Sequence, residues 1–447
     1  MKKWTQTFSL TLVVCSTFSL HTTAQMTLSG QVRTRTELRD GQGSPLTIGS
    51  KPAFFTSQRT RLAFGYNAYR LKIGVTAQDV RVWGQDVSTI NRTTTQDLNG
   101  VMLHEAWADL QLTDTVVKNK TLSLKIGRQE LVYDDQRLLG NLDWLQQGRR
   151  HDAALLKYET GGYMLHLGAA FNQNRELATG TLYNNTPPGA YAATTNGGSM
   201  YKSMAFLYAG KKLKGGNASF LFLNDEFSSY RNDPVTSAKV YDSSTWSRAT
   251  TGLYFTNTFN KTSLTASAYY QAGRNAAGQK LKAHLLTLAG TYAFDKKWSA
   301  GGGMDYYSGG SSGATSNAFD PLYGTPHKFG GLMDYFYVAN SFGRNGLCDY
   351  FVRGKYKASE KLAFTADVHQ FNSAAAVSGF ATKKLGQEVD LVGTYALTKQ
   401  IGFEAGYARY FTTALLASPA VKNIPNAKPQ ANWAYLMINV KPEFFLK

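Results

Sequence analysis

The chain has 447 residues, of which 13% are aromatic, and a formal net charge of +18. This charge predicts anionic partners, and nucleic acid is the weakest of these for an exported chain, so no nucleic-acid partner is expected. No apolar run after Gln25 reaches the length of a membrane-spanning helix, which excludes helical membrane spans. Of the two cysteines, Cys15 falls in the predicted leader, so Cys348 stands alone and an internal disulfide is excluded.

The first 24 residues predict a secretory signal peptide. Lys2 and Lys3 precede an apolar run over residues 8–20, and the small residues that end at Ala24 resemble a cleavage site. The apolar run is too short to span a bilayer. We therefore expect the mature chain to begin at Gln25, and residues 25–447 to form one domain.

Alternating apolar and polar residues predict β-strands from the start of the mature chain. Between residues 26 and 38, one face is apolar or small, whereas the other includes Arg33, Arg35 and Glu37. The same pattern recurs over residues 55–67, 69–77, 101–112, 121–127, 163–172, 281–294, 362–371 and 385–397. We expect each strand to present one apolar and one polar face.

The connections between these strands alternate in length. Eight short connections, such as residues 67–68 and 161–162, separate nine long ones, such as residues 130–150 and 228–245, which gives eighteen strands. Residues 332–340 could form a strand, but we assign them to a long loop because another strand would break the alternation. The pattern predicts an all-β fold, a closed transmembrane antiparallel barrel of about 18 strands with long extracellular loops and short periplasmic turns.

Residues 127–152 hold the densest cluster of charge in the chain. We interpret residues 130–150 as a long loop that folds back into the barrel mouth, because Leu138, Leu142, Trp144 and Leu145 are too apolar for a solvated loop. In this hypothesis four arginines surround the narrowest passage: Arg128, Arg137, Arg149 and Arg150. Four acids are expected to pair with them or orient them: Glu130, Asp134, Asp135 and Asp152.

Basic residues also mark the polar faces of the predicted strands. A charged side chain facing lipid costs about 2–4 kcal/mol at the membrane midplane, so these residues should point into the lumen. We predict that the following line the pore: Arg33, Arg35, Arg59, Arg61 and Arg353. Inward acids such as Glu388 and Asp390 are also present, so bracing of the barrel wall remains open beside a role in the pore.

No motif predicts an enzyme. The histidines are scattered, and neither a HExxH nor a GxSxG sequence occurs. The Asp134–Asp135 pair could be a carboxylate dyad, but adjacent acids on a loop are far more often a solvated turn or a calcium-type site. We therefore predict no catalytic residue, metal or cofactor, and keep a barrel hydrolase as the enzymatic alternative.

Three stretches of the chain resemble the alginate-export family of outer-membrane porins, especially its Bacteroidetes forms. They are VRTRTELR, the block GRQELVYDDQRLLG with DWLQQGRRHDA, and FDPLYGTPHKFGGLMDYF at residues 319–336. The resemblance extends over essentially the whole mature chain. It implies an eighteen-stranded monomer in the cell outer membrane, with a cationic, narrowed channel that passes an anionic polysaccharide outward.

Two functions remain open on this basis. The first is an anion-preferring channel for a uronate-type polysaccharide, such as an alginate-like chain, or for a smaller acidic solute. The second is a structural or adhesive barrel whose long loops bind a partner. In either case the expected partners are outer-membrane lipid and the barrel-assembly machinery.

Overall fold

The computed structural model describes residues 25–84, 100–114, 119–172, 201–336 and 344–446. The predicted signal peptide lies outside these ranges. Eighteen long strands cross the barrel wall: β1 (Gln25–Asp40), β2 (Ala53–Ala68), β3 (Leu71–Val82), β4 (Met102–Gln111), β5 (Lys120–Gln129), β6 (His151–Thr160), β7 (Tyr163–Phe171), β8 (Ser203–Leu213), β9 (Gly216–Asn232), β10 (Lys239–Phe259), β11 (Thr262–Arg274), β12 (Lys280–Ala293), β13 (Trp298–Tyr307), β14 (Leu347–Lys357), β15 (Leu362–Asn372), β16 (Lys384–Ala396), β17 (Ile401–Thr412) and β18 (Gln430–Val440).

The strands form a closed antiparallel barrel, as the sequence predicts. Each strand pairs with its neighbours in the chain, and β1 pairs with both β2 and β18. The pairing of Val32 with Val440 and of Asp40 with Asn432 closes the sheet. A short extension, Glu443–Leu446, pairs with the first residues of β1. Closure leaves no unpaired sheet edge, which a bilayer would not tolerate.

The period-two pattern separates a lipid-facing surface from an inner surface. Outward apolar side chains are well exposed, for example Val352 at 64%, Leu253 at 60% and Leu288 at 59%. The buried core lies inside the barrel towards the end that carries the long connections, which we call the loop end; the other is the turn end. Core residues there include Leu139, Tyr323, Tyr335, Tyr410 and Trp433.

Two features of the loop end differ from the predicted boundaries. The connection expected over residues 228–245 is shorter, because β9 continues to Asn232 and β10 begins at Lys239. Tyr230 contacts Tyr241 and Trp246 edge-on across this hairpin, which supports the longer strands. Residues 332–336 form turns rather than a strand, and residues 337–340 lie outside the described ranges.

Short elements complete the loop end. They are the two-residue strands Ser311–Ser312 and Thr315–Ser316, a 3-10 turn at Pro326–Lys328 and the helix α1 (Ala414–Ala417). Thr413 caps α1 by accepting a hydrogen bond from the Leu416 amide, and the side chains of Leu415 and Leu416 are buried. Within the described ranges, no helix has the length and apolar character needed to cross a membrane.

Candidate functional site

Residues 130–150, the first inward loop, run across the lumen. Near its start, Asp134 accepts hydrogen bonds from Tyr208 and Ser219, at 2.9 and 2.8 Å, on strands β8 and β9. Near its end, the Trp144 ring packs edge-on against Tyr435 of β18, with 5.2 Å between ring centroids. Leu138 and Leu142 are buried between these anchors. The loop therefore touches distant parts of the wall.

Residues 317–336, the second inward loop, bind to the first through backbone hydrogen bonds. The Gly140 amide donates to the Tyr323 carbonyl at 2.9 Å, and the Tyr323 amide donates to the Leu138 carbonyl at 2.9 Å. The Thr325 amide donates to the Gln136 carbonyl at 2.8 Å. Because these bonds satisfy buried backbone groups in both segments, the two loops form a single body inside the barrel.

Asp143 is the electrostatic anchor of the first inward loop. Its carboxylate lies 2.9 Å from Arg59, 3.2 Å from Arg61 and 3.5 Å from Arg33. Burial by itself would raise the pKa of this carboxyl, but the three guanidinium groups outweigh it and the pKa lies below its ordinary value. The carboxylate is therefore held in its charged form against the wall of β1 and β2.

The arginines of β1 and β2 face inward, as expected, but they bind the loop. Arg33 donates to the carbonyl oxygens of Asp143, Trp144 and Leu145 at 2.8 to 3.2 Å. Arg35 donates to the Trp144 carbonyl at 2.9 Å and to Glu37 at 2.9 Å. Arg33 and Arg35 are 4% exposed and Arg59 is 1% exposed. Their guanidinium groups brace the loop against the wall.

The arginines within the first inward loop are also largely buried. Arg137 contacts Asp305 at 2.7 Å and Asp135 at 3.2 Å, and it lies 3.7 Å above the Phe329 ring. Arg149 is 0% exposed and donates to the carbonyl oxygens of Gly140, Tyr323 and Gly324, so it joins the two inward loops. Arg150 is 4% exposed and contacts the sulfur of Met102 at 3.3 Å.

Arg128 lies on the outside of the barrel, so the prediction that it surrounds the passage is wrong. It forms an exposed pair at 2.8 Å with Asp152, an acid predicted to pair with one of these arginines. Strand β5 continues to Gln129, which keeps Arg128 on the same face as Ile126, an apolar residue that is 42% exposed. The neighbouring Gln129 is 0% exposed and takes the inward position.

Two of the remaining acids have partners other than the predicted arginines. Asp134 binds the hydroxyl groups of Tyr208 and Ser219 and, at 3.1 Å, the side-chain amide of Asn217. Glu130 binds His104 at 2.9 Å and Asn141 at 2.8 Å. Asp135 does pair with Arg137. Among the described residues, no group of three or more His, Cys, Asp or Glu side chains is placed to hold a metal ion.

Strand β14 carries inward cations that remain exposed. Arg353 pairs with Asp367, yet its side chain is 50% exposed. Lys355 and Lys357 follow on the same face, and both are more exposed than the arginines of β1 and β2. Arg353 and the lipid-facing Val352 take the faces that the sequence predicts.

Sequence reasoning missed what anchors the second inward loop. The Met333 amide donates to Glu388 at 2.7 Å and the Leu332 amide donates to Asp390 at 3.1 Å, both on β16. The Tyr335 ring stacks on Tyr410 of β17 at 3.9 Å. The aromatic and glycine content of residues 319–336 was visible in the sequence, but the backbone amides that bind β16 have no sequence signature.

A family described as alginate export matches residues 24–418 of this chain. The chain belongs to the alginate-export family. The match ends before β18, whose pairing with β1 closes the barrel. A search of curated proteins found no match.

Solved porins of Pseudomonas aeruginosa share the fold of this alginate-export family member. OccK3 (OpdO) superposes with a TM-score of 0.59 at 12% identity, covering 94% of this chain and 96% of that one. OccK5 (OpdH) gives a TM-score of 0.56 at 12% identity, with 94% and 98% coverage. A structure of OpdK with vanillate gives 0.55 at 13% identity, with 94% and 99% coverage. The family and the fold are those of outer-membrane transport porins rather than of enzymes.

Proposed function

We propose that this outer-membrane channel prefers anions and carries a uronate-type polysaccharide outward. The observation that supports it best is the placement of exposed cations on the inner face of β14. Arg353 has a half-exposed side chain, and Lys355 is exposed two residues further along the same face. Exposed lumen cations attract carboxylates while binding each one weakly enough for release.

The distribution of charge inside the barrel agrees with this proposal. The buried arginines that contact the first inward loop donate hydrogen bonds to its carbonyl oxygens and neutralise the charge of Asp143, so they are not available to a solute. Lys72 and Lys212, by contrast, are exposed on the inner faces of β3 and β8. The net charge of +18, or +16 without Lys2 and Lys3 of the predicted signal peptide, also favours accumulation of polyanions near the protein.

Planar-bilayer recording tests the proposal directly. The purified channel should conduct, and its reversal potential in a potassium chloride gradient should show chloride permeating more readily than potassium. An oligouronate added on one side should block the current, and a neutral oligosaccharide of the same length is the matched control. Cation preference, or equal block by both sugars, would contradict the proposal.

The contacts of the two inward loops also fit a second candidate function, namely a structural or adhesive barrel. The two inward loops bind each other and several wall strands, which is the arrangement expected of a barrel that conducts little. The same recordings separate the two functions, because an adhesive barrel gives no sugar-dependent current.

We also propose that the protein works as a monomer in outer-membrane lipid after insertion by the barrel-assembly machinery. The exposed apolar side chains on the outer faces of the strands, such as Val352 and Leu253, support contact with lipid on the outside. Native mass spectrometry from detergent should give the mass of one chain, and a stable dimer or trimer would refute this part.

A further inference from the structure

Cavities lie along the lumen wall, lined by residues of strands β12 to β18 and, at the loop end, by Arg248 of β10. A cavity of about 350 Å³ lies at the turn end and includes Lys355 and Lys357 in its lining. The next, of about 50 Å³, lies between the second inward loop and the wall, beside Arg353. A third, of about 20 Å³, adjoins Phe329, and a fourth, of about 260 Å³, lies at the loop end near Arg344.

Three of these cavities share lining residues, and the cavity at the turn end is next to them along β14. The second and third are both lined by Asp305, Asp349 and Phe329. The third and fourth are both lined by Pro321. The first and second share no lining residue, but the inner face of β14 borders both: Arg353 lines the second, and Lys355, two residues further on the same face, lines the first. The series therefore extends from the turn end to the loop end.

The inner face of β14 forms a track between the first two cavities. Phe351, Arg353, Lys355 and Lys357 alternate with outward residues, so successive cations stand about 7 Å apart. The adjacent strand β13 presents glycines there, with Gly303 opposite Phe351 and Gly301 opposite Arg353. The Phe351 ring covers Gly303, where an added Cβ would lie 2.5 Å from the Leu288 carbonyl oxygen and 2.7 Å from the ring.

Two of the three cations on this track have ion-pair partners: Arg353 pairs with Asp367, and Lys357 pairs with the exposed Glu360. Arg353 donates to Asp367 through Nε and Nη2. Among the described residues, its Nη1 donates no hydrogen bond. Lys355 makes no ion pair within the described part of the chain; its neighbours across the two adjoining strands are Ser299 and Thr365. Glu360 and Glu404 line the same cavity, but neither forms an ion pair with Lys355, so its ammonium group can bind a carboxylate of the solute.

We propose that solute passes along this wall and that Arg353, Lys355 and Lys357 form a binding track for the carboxylates of a polyuronate. The inference rests on the proposed anion-channel function and names its path. The arginines of β1 and β2 then support the loops and do not touch the solute. The third cavity, which holds about one water molecule, is the constriction, so residues 329–331 must shift as a sugar passes.

Charged thiol reagents test the path on folded channels. The Lys355→Cys variant in a Cys348→Ala background is reconstituted and then modified with a negatively charged methanethiosulfonate. The Thr256→Cys variant in the same background, on the inner face of β10 at a similar distance from the turn end, is the matched control. Because modification follows insertion, a folding defect cannot imitate the result.

Modification of the Lys355→Cys channel should lower the permeability ratio of chloride to potassium about fivefold and weaken oligouronate block by a similar factor. The same reagent on the Thr256→Cys channel should change both values less than twofold. The proposed path is overturned if modification of the Lys355→Cys channel changes neither the permeability ratio nor the oligouronate block, or if the control changes equally. In that case the anion-channel function still stands, provided that the parent channel prefers anions. If the parent channel shows no anion preference, the proposed function itself fails and the path fails with it.

Discussion

Replacement of Asp143 by asparagine should loosen the first inward loop while the barrel stays closed. The side chain keeps its size but loses the charge that faces Arg33, Arg59 and Arg61. Removal of one partner from a buried ion pair costs about 3–5 kcal/mol. The Asp143 side chain is 43% exposed, so water compensates for part of this loss and we expect about 2 kcal/mol.

Hydrogen exchange of residues 141–147 measures this change, because amide protection reports the free energy of local opening. A loss of about 2 kcal/mol corresponds to roughly a 30-fold fall in protection. Asp152→Asn is the matched control, since its exposed pair with Arg128 on the outer face should contribute less than about 1 kcal/mol. Equal protection of residues 141–147 in the Asp143→Asn variant and the parent protein would refute the claim that Asp143 anchors the loop.

The pH dependence gives a second measure of the same anchor. The pKa of Asp143 is lowered in the folded loop, so its contribution is complete above the ordinary value of 3.8 and is lost as pH falls below it. After correction for intrinsic exchange rates, protection of residues 141–147 should hold at neutral pH and fall below pH 3.8. The Asp143→Asn variant should lack that transition; if it keeps it, another group is responsible.

Three other sites give independent tests of the structure. Val352→Arg should reduce the stability of the folded barrel in bilayers by about 2–4 kcal/mol, whereas Arg353→Val should change conductance more than stability. Equal losses of stability in the two variants would mean that the register of β14 is wrong by one residue. Arg149→Ala should separate the inward loops, raising current noise in single-channel records, and an unchanged noise spectrum would contradict its bridging role. Burial lowers the pKa of Lys422 to about 8, so exchange protection of residues 413–429 should rise between pH 8 and 10.5, and Lys422→Met should abolish that rise.

The barrel itself could be predicted because lipid imposes a strict rule on each strand. Outward positions within the hydrocarbon region must be apolar, so the period-two pattern identifies strand faces there directly, as Val352 and Arg353 illustrate. Closure and even strand number then follow from backbone pairing. Entry of residues 130–150 into the lumen could also be inferred, because Leu138, Leu142 and Trp144 required burial.

The roles of the arginines could not be predicted in the same way. Arg33 and Arg149 bind mainly backbone carbonyls, and every residue has a carbonyl, so the sequence carries no sign of the partner. Arg128 was misplaced for a simpler reason. Strand β5 continues two residues past Gly127, and a residue that remains in a strand keeps the face set by its register.

The sequence predicted only part of the track on β14. The alternation correctly predicted that Arg353 faces inward, but it could not predict which inward cations are exposed and which are buried. That difference depends on which strands the inward loops touch, and such contacts join residues more than a hundred positions apart, as between Arg33 and Asp143.

The position of Trp144 has a consequence for assembly. Its ring lies under Arg35 of β1, at 4.6 Å, and beside Trp433 and Tyr435 of β18, so it spans the seam where the first and last strands meet. That seam does not exist until the chain is complete and closed. Docking of the first inward loop must therefore be a late step in folding, and a nascent barrel keeps an unfilled interior until its two ends join.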